Sequence, residues 1–447
     1  MKIVIILILS ALAKAVYGQG VAQTAQATVA STNSPWTLEQ CIDYAYSHHI
    51  SVKQQQNTTR QQQVQLDENR GNHLPNVDAS IGQNFSFGRG LTDKNTYENT
   101  NTSNTSFSLS ASMPLFSGGR IVNGVKQARL NLDAAMADLQ RVRDELCTQV
   151  AKAFVQVIYD GELEAVAKRQ VKLDSMQTMR LKQLVAVGKA SRAELSQQQA
   201  TLAQSRLTLT DAHNALMLST LALTQLLELP SPEGFRVAAP QPDRTDAKQT
   251  LPAPDAVYGE ALGVRPQVRA EQLRLSGCDY AIRIARADYM PTLSLSAGLG
   301  TNYYKSSGFT ADGFSTQLKN NFSQYLGLNL SIPVFNHFST RNRIRQAKIE
   351  RDNQQLRLED TRKSLYQEIQ QAYYNAISSR AKLESCGEAV NSAQDAFQLM
   401  QAKYEQGKAT ITEYNEAKTQ MLKAESDQLR ARYEHFFNQF LYDFYRH

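Results

Sequence analysis

The chain has 447 residues, 42% of them hydrophobic, with 48 basic against 42 acidic side chains and four cysteines. A mean hydropathy of −0.44, with no stretch after the N-terminus approaching the roughly 18 apolar residues of a membrane helix, excludes a helical membrane bundle. The near-balanced charge argues neither for nor against nucleic acid; an N-terminal export signal argues against it.

Lys2 precedes an apolar run from Ile3 to Leu9, then small residues and Val16-Tyr17-Gly18 before Gln19. A charged start, a short apolar core and a cleavage-like site read as an export signal over residues 1–18. No cysteine follows closely, so lipid attachment is not expected. Without that segment 46 basic residues face 42 acidic ones, a net charge of +4. Residues 19–35 read as a linker.

Thr37-Leu38-Glu39-Gln40 has the form of a capping box, and the helix it opens is expected to run to about Asn72. Leu74-Pro75 then introduces an alternating segment. Val77, Ala79, Ile81, Phe85 and Phe87 alternate with Asp78, Ser80, Gly82 and Ser86, and Phe107, Leu109, Ala111 and Met113 alternate with serines. Period 2 with small polar partners predicts strands over 76–87 and 106–113, each near the roughly 9–11 residues that cross a bilayer when tilted. The intervening polar stretch, Gly88 to Thr105, is expected as a long loop of the kind outer-membrane barrels carry on their outer side.

Pro114-Leu115-Phe116-Ser117-Gly118-Gly119 ends the second strand and turns into a helix over 120–187, interrupted by no proline. Leu132, Met136, Leu139, Val142, Leu146, Val150, Ala153 and Val157 form its apolar seam. At 1.5 Å per residue such a helix is about 100 Å long. Gly188-Lys189-Ala190-Ser191 breaks it, and a shorter helix follows over 191–229. Residues 230–254, rich in proline and without an apolar period, read as a linker at mid-height.

The same order of marks then recurs. After a helix from 255 come Met290-Pro291, strands over 292–299 and 324–332, and Pro333-Val334-Phe335. A helix over 340–406, the break Gly407-Lys408-Ala409-Thr410 and a last helix over 410–445 complete the copy. Pro114 to Gly188 spans 74 positions, and so does Pro333 to Gly407. The second long helix carries a heptad seam from Leu365, Ile369, Ala372 and Ala376 through Val390 and Phe397 to Tyr404. A repeat this large, over 36–229 and 255–447, sets the fold class: a mixed α+β membrane protein in which strand pairs join long helical hairpins. Asn336-His337-Phe338-Ser339 stands where the first copy has Ser117-Gly118-Gly119-Arg120, so the second strand-to-helix turn is expected to differ from the first.

Four strands cannot close a membrane barrel, and an open edge in lipid leaves backbone groups unpaired. Several copies must therefore combine. The two shorter helices of a copy, end to end, match the long one, which puts Gly188 and Gly407 at the tip far from the membrane and Pro114, Gly118, Gly119 and Pro333 at the near end.

In Trp36-Thr37-Leu38-Glu39-Gln40-Cys41-Ile42, Pro114-Leu115-Phe116-Ser117-Gly118-Gly119-Arg120, Arg286 to Ala297, and Gly407 with Thr410-Ile411-Thr412-Glu413-Tyr414, the chain resembles the TolC-type outer membrane efflux family. The resemblance covers Trp36 to about Tyr445. It implies a homotrimer, with a 12-stranded barrel in outer-membrane lipid and an α-helical tunnel across the periplasm. It also implies an inner-membrane transporter and a periplasmic adaptor docked at the tip, where Val187, Gly188, Ser191, Gln406, Gly407 and Thr410 are the expected contacts. Both copies place a glutamate six residues beyond the break, Glu194 and Glu413, and Glu416 lies one turn later. In a trimer these give carboxylate rings that favour cations, and the family's gate carries acidic residues at the positions matching Glu413 and Glu416.

No enzyme, cofactor or metal site is expected. Gly188-Lys189 lacks the phosphate-loop spacing, and the histidines and cysteines show no ligand spacing. Cys386 falls on the seam and reads as a small core residue. Cys41 and Cys147 fall at similar heights on adjacent helices, either as free thiols or, in an oxidising compartment, as a disulfide. A secreted trimeric coiled-coil adhesin shares the heptads but leaves the recurring strand pairs unexplained. A passive porin has no use for a long helical tunnel.

Overall fold

The computed structural model describes residues 35–92, 95–238, 251–308 and 310–446. The export signal, nearly all of the N-terminal linker and residues 239–250 of the mid-height linker lie outside the described residues. From Trp36 onward the chain forms one unit. In chain order it runs α1 (Leu38–His48), α2 (Ile50–Gly71), β1 (Asn76–Leu91), β2 (Tyr97–Phe116), α3 (Arg120–Ala186) and α4 (Arg192–Leu226). Then follow α5 (Pro254–Val264), α6 (Pro266–Ala287), β3 (Thr292–Ser306), α7 (Phe314–Asn320), β4 (Ser323–Ser331), α8 (Ser339–Glu405) and α9 (Ile411–Arg446).

The four strands form one antiparallel sheet in the order β1-β2-β3-β4. Its register sorts the side chains into two faces. Ala79 lies opposite Leu109, Leu109 opposite Leu299, Ala111 opposite Ala297, and Ala297 opposite Leu326. One face therefore carries an unbroken apolar band, while the other carries serines, glycines and asparagine. Ser80 and Ser108, for instance, share a hydrogen bond of 2.7 Å. Above Phe107 the contribution of β2 to this face changes to Thr105, Ser103 and Asn101, opposite Gln83, Phe85 and Phe87 of β1. Ile81 and Leu326, each 75% exposed, meet no protein partner that would justify them in water. The nine residues of β4 rise about 30 Å, or about 23 Å along the normal at a 40° tilt, against roughly 25 Å for the apolar band of a membrane barrel.

Two expectations are corrected here. The stretch from Gly88 to Thr105 is not a long loop: β1 continues to Leu91 and β2 begins at Tyr97, in unbroken register. Its threonines suit an extended ladder as well as they suit a loop. In the second copy, where strands are expected over 292–299 and 324–332, β3 likewise runs seven residues further, from Gly300 to Ser306, and the helix α7 follows.

The two long helices have 67 residues each. Near the sheet the packing order is α2-α3-α6-α8, and towards the other end it is α4-α3-α9-α8. Thus α3 and α8 run through, and their neighbours change midway. The heptad seam of α8 is buried at Leu365, Ile369, Ala372, Ala376, Val390 and Phe397, while Cys386 is half-buried. On α3 the seam holds at Leu132, Leu146, Val150 and Val157 but not at Met136, which is half exposed. The largest apolar cluster joins Cys41, Ala45 and Val52 to Phe154, Ile158, Leu223 and Leu227.

The first helix is also not continuous. It breaks at His49, whose backbone is extended and whose Nδ1 accepts from the Ser51 N–H to start α2. Arg265, before Pro266, breaks the second copy between α5 and α6. Cys41 and Cys147 are free. Burial pushes the Cys41 thiol up to about 12. Burial also raises Cys147, whose side chain hydrogen-bonds Tyr46 rather than a second sulfur.

The strand-to-helix turns are alike despite their sequences. Gly118 and Gly119 have φ of 61° and 79°, and His337 and Phe338 have 56° and 59°. A Cβ on Gly118 would stand 2.5 Å from that of Met290, so glycine is required there by space as well as by conformation. The second copy holds the same left-handed pair with two bulky side chains, a strained choice. Asp288 ties this level together, accepting from Arg343 at 2.8 Å and from Arg120 at 3.5 Å.

Candidate functional site

The ends of α3 and α8 stop in the same way. Gly188 and Gly407 both have φ of 71°. Lys189 N–H donates to the Leu184 carbonyl and Lys408 N–H to that of Lys403, each at 2.8 Å. Gly188 N–H donates to Val185 at 3.1 Å and Gly407 N–H to Tyr404 at 3.0 Å. These paired bonds are Schellman motifs, which satisfy the last carbonyls of a helix and reverse the chain. An added Cβ on either glycine would meet nothing within 4 Å. Val187, Gln406, Ser191 and Thr410 are likewise exposed, so the predicted docking residues form two open turns.

The next helices begin with capping boxes. Ser191 N–H donates to the Glu194 carboxylate and Glu194 N–H to Ser191 Oγ, both at 3.1 Å. Thr410 N–H donates to Glu413 Oε2 at 2.7 Å, its hydroxyl donates to the same oxygen at 2.9 Å, and Glu413 N–H returns a bond at 3.3 Å. These bonds to the Thr410 backbone and hydroxyl, then the Lys403 charge, hold the Glu413 carboxyl below its ordinary value. The glutamates six residues past each break are therefore helix caps as well as exposed or half-exposed charges. The Ser-x-x-Glu and Thr-x-x-Glu spacing carried that signal. Glu416 lies one turn along and is exposed. Glu413 and Glu416 share α9, whereas Glu194 belongs to the other hairpin.

Behind the turns, Leu181, Phe397, Ile411 and Tyr414 form a small apolar cluster. Tyr404 stacks on Tyr414 with centroids 5.1 Å apart, and its hydroxyl accepts from Gln177 at 2.9 Å, joining α8 to α3.

Deeper still lies a polar centre not legible in the sequence. Asp174 of α3 and Lys418 of α9 form a buried ion pair, each side chain 1% exposed. Ser205 and Gln198 of α4 donate to the same carboxylate at 2.5 and 3.3 Å. Asn415 closes the group, donating to Gln198 and accepting from Lys418, both at 3.3 Å. Three helices thus converge on one carboxylate. Their positions 24 to 244 residues apart give no periodic or motif signal. Among the described residues no helix is long and apolar enough to cross a membrane, and no cluster of ligating side chains could hold a metal.

A four-stranded sheet with one lipid-compatible face, continuous with long hairpins that end in matched capped turns, defines an outer-membrane channel component with a helical extension. The outer membrane efflux protein family model matches residues 41–228 and 257–435, and the chain belongs to that family. Protein CyaE of Bordetella pertussis is 24% identical over 404 residues, covering 89% of this chain and 80% of the relative. The pyoverdine export outer membrane protein OpmQ of Pseudomonas aeruginosa is 28% identical over 360 residues, covering 76% and 69%. The outer membrane channel CmeC of Campylobacter jejuni superposes with a TM-score of 0.78 at 18% identity, covering 92% of this chain and 85% of that structure. This is an outer membrane efflux protein, with its sheet in the outer membrane and its helices extending into the periplasm.

Proposed function

We propose that three copies close into one duct, with 12 strands through the outer membrane and a 12-helix tunnel in the periplasm. The duct would carry export from an inner-membrane transporter through a periplasmic adaptor. The observation that carries this reading is the sheet's two open edges. Among the described residues β1 and β4 have no outer neighbour. Half the backbone groups of β1 point away from β2; over the nine residues Asn76 to Asn84 beside the apolar band that is four or five N–H and as many C=O, at about 1–3 kcal/mol each if left unpaired in lipid. Closure with further copies removes that cost. The two segments matched by the family model and the paired 67-residue helices support a twofold internal repeat.

At the tip, Val187, Gly188, Ser191, Gln406, Gly407 and Thr410 offer exposed turns to the adaptor. Glu413, Glu416 and Glu194 supply the negative charge of the narrow end. Glutamine at position 413 can still accept the Thr410 N–H bond, since capping boxes use Glu or Gln. The substitution therefore removes charge and keeps the cap. In planar bilayers the purified protein is expected to give small cation-selective steps blocked from one side by divalent or trivalent ions. Glu413→Gln with Glu416→Gln is expected to weaken that block about tenfold or more, the loss of about 1.4 kcal/mol of cation affinity. Unchanged block rejects the acidic gate; large unselective steps keep the barrel and reject the narrow tip.

A further inference from the structure

The two edges that would meet in a closed ring differ in length. β1 has 16 residues and β4 has nine. Both are anchored at the helical end of the sheet, β1 starting four residues after Asn72 and β4 ending eight residues before Ser339. The surplus of β1, from about Phe85 to Leu91, therefore stands above the top of any β4 beside it.

The short helix α7 occupies that place. β3 pairs with β4 only up to Gly300, opposite Ser323, yet β3 runs on to Ser306. Its edge groups beyond Gly300 are taken by side chains from the α7 segment. The Gln317 carboxamide accepts from Tyr304 N–H at 2.8 Å and donates to the Tyr304 carbonyl at 2.9 Å. Asn321 donates to the Asn302 carbonyl at 2.8 Å, and Thr301 Oγ1 donates to the Leu318 carbonyl at 2.8 Å. Tyr303 packs edge-on against Phe314 at 5.2 Å. Gln317 is buried, so α7 is docked on the edge of β3 as a substitute for the missing upper half of β4.

We infer that α7 is half of a seam between copies: its outer side receives the upper edge of β1 from the next copy. This rests on the ring closure proposed above. Ser315 and Lys319 lie four residues apart on the side of α7 opposite Gln317, and both are exposed. Hydroxyl and ammonium donors are what the bare carbonyls of a strand edge require. The upper edge lies at the rim of the apolar band: β2 carries Thr105, Ser103 and Asn101 there, and the face keeps only Phe85 and Phe87 of β1 as large apolar groups beside them. An exposed flat edge with Phe85 and Phe87 on it would otherwise be a template for wrong pairing, and a covering helix is one of the ways such edges are blunted. The seam is thus strand on strand through the apolar band and helix on strand at its rim.

Cysteine cross-linking of the full chain in outer membranes tests this at both levels, with Cys278→Ser and Cys386→Ser as background. The lower pair combines Leu328→Cys with Val77→Cys, Ala79→Cys or Ile81→Cys in turn. The upper pair combines Ser315→Cys with Phe85→Cys, Ser86→Cys, Phe87→Cys or Gly88→Cys. The expected result is disulfide-linked dimers and trimers at both levels, with Gln317→Ala reducing the upper link several-fold and leaving the lower one unchanged. Linking at the lower level alone overturns the α7 seam and keeps the ring. Linking at neither level overturns the ring and the seam with it.

Discussion

Removing the carboxylate of Asp174 would leave the Lys418 ammonium, 1% exposed, without a counter-charge and would strip the Gln198 amide of its acceptor, while the Ser205 hydroxyl can turn to the Thr201 carbonyl at 3.0 Å. Breaking a buried ion pair from one side costs about 3–5 kcal/mol, so Asp174→Leu should lose that much in urea unfolding followed by far-ultraviolet circular dichroism of the detergent-purified protein. Lys418→Met should cost a similar amount. The double replacement Asp174→Leu with Lys418→Met leaves no unpaired charge. It should cost only the orphaned Gln198 amide and Asn415 side-chain carbonyl, about 1–3 kcal/mol, giving a coupling of several kcal/mol between the two sites. The ion pair of Arg169 with Glu425 is the control. It also joins α3 to α9, at 3.3 Å, but its arginine is 63% exposed, and Arg169→Ala should cost less than about 1 kcal/mol. A single Asp174 variant within about 1 kcal/mol of wild type, or a double variant as unstable as the two singles summed, would refute the claim that this pair clamps α3, α4 and α9.

Further outcomes follow from the turns and caps. His337→Gly relieves one left-handed non-glycine residue and should raise stability by about 1 kcal/mol, whereas Gly118→Ala, facing Met290 Cβ at 2.5 Å, should lower it by more; both are read by the same unfolding assay. Gly407→Ala keeps the space but not the conformation, and a loss of about 1 kcal/mol confined to the α8–α9 tip should appear as faster amide exchange there. Because the Glu413 pKa is depressed on folding, its contribution is present above the ordinary carboxylate value near 4.5 and is lost as pH falls through the lower folded value. Amide exchange at the start of α9 should accelerate over that acidic window in the wild type and stay flat in Glu413→Gln.

The strands and long helices were legible because alternation and the heptad step are local patterns. Leu293 to Leu299 and Leu365 to Tyr404 each show them without help from the rest of the chain. The break at His49 was not, since it does not interrupt the apolar periodicity, whereas the break at Arg265 stood in the proline that follows it. The likeness of the two strand-to-helix turns was hidden because His337 and Phe338 do not favour the left-handed backbone they adopt. The extra length of β1 and β2 at the rim of the apolar band was lost because polar Asn and Thr residues read as loop. At the tip the residues were named from the glycine breaks. Their capping role stood in the same three-residue spacing, whereas the Asp174–Lys418 pair joins helices whose proximity only the fold supplies.

The sheet also imposes an order of events on folding. β2 pairs with β3 from Thr102 opposite Ser306 to Phe116 opposite Leu293, so its central ladder joins segments about two hundred positions apart. The hairpins α3–α4 and α8–α9, by contrast, bring together residues that follow one another through a tight turn, and such local contacts form faster than distant ones. β1 and β2 follow one another through a short turn, Leu91 opposite Tyr97, and are as local as the helical hairpins, whereas the distance between β2 and β3 closes only once the chain between them has doubled back. A chain interrupted after α4 would hold β1 and β2 with no partner for the inner edge. The β2–β3 ladder is therefore the pairing of the sheet that waits on the helices.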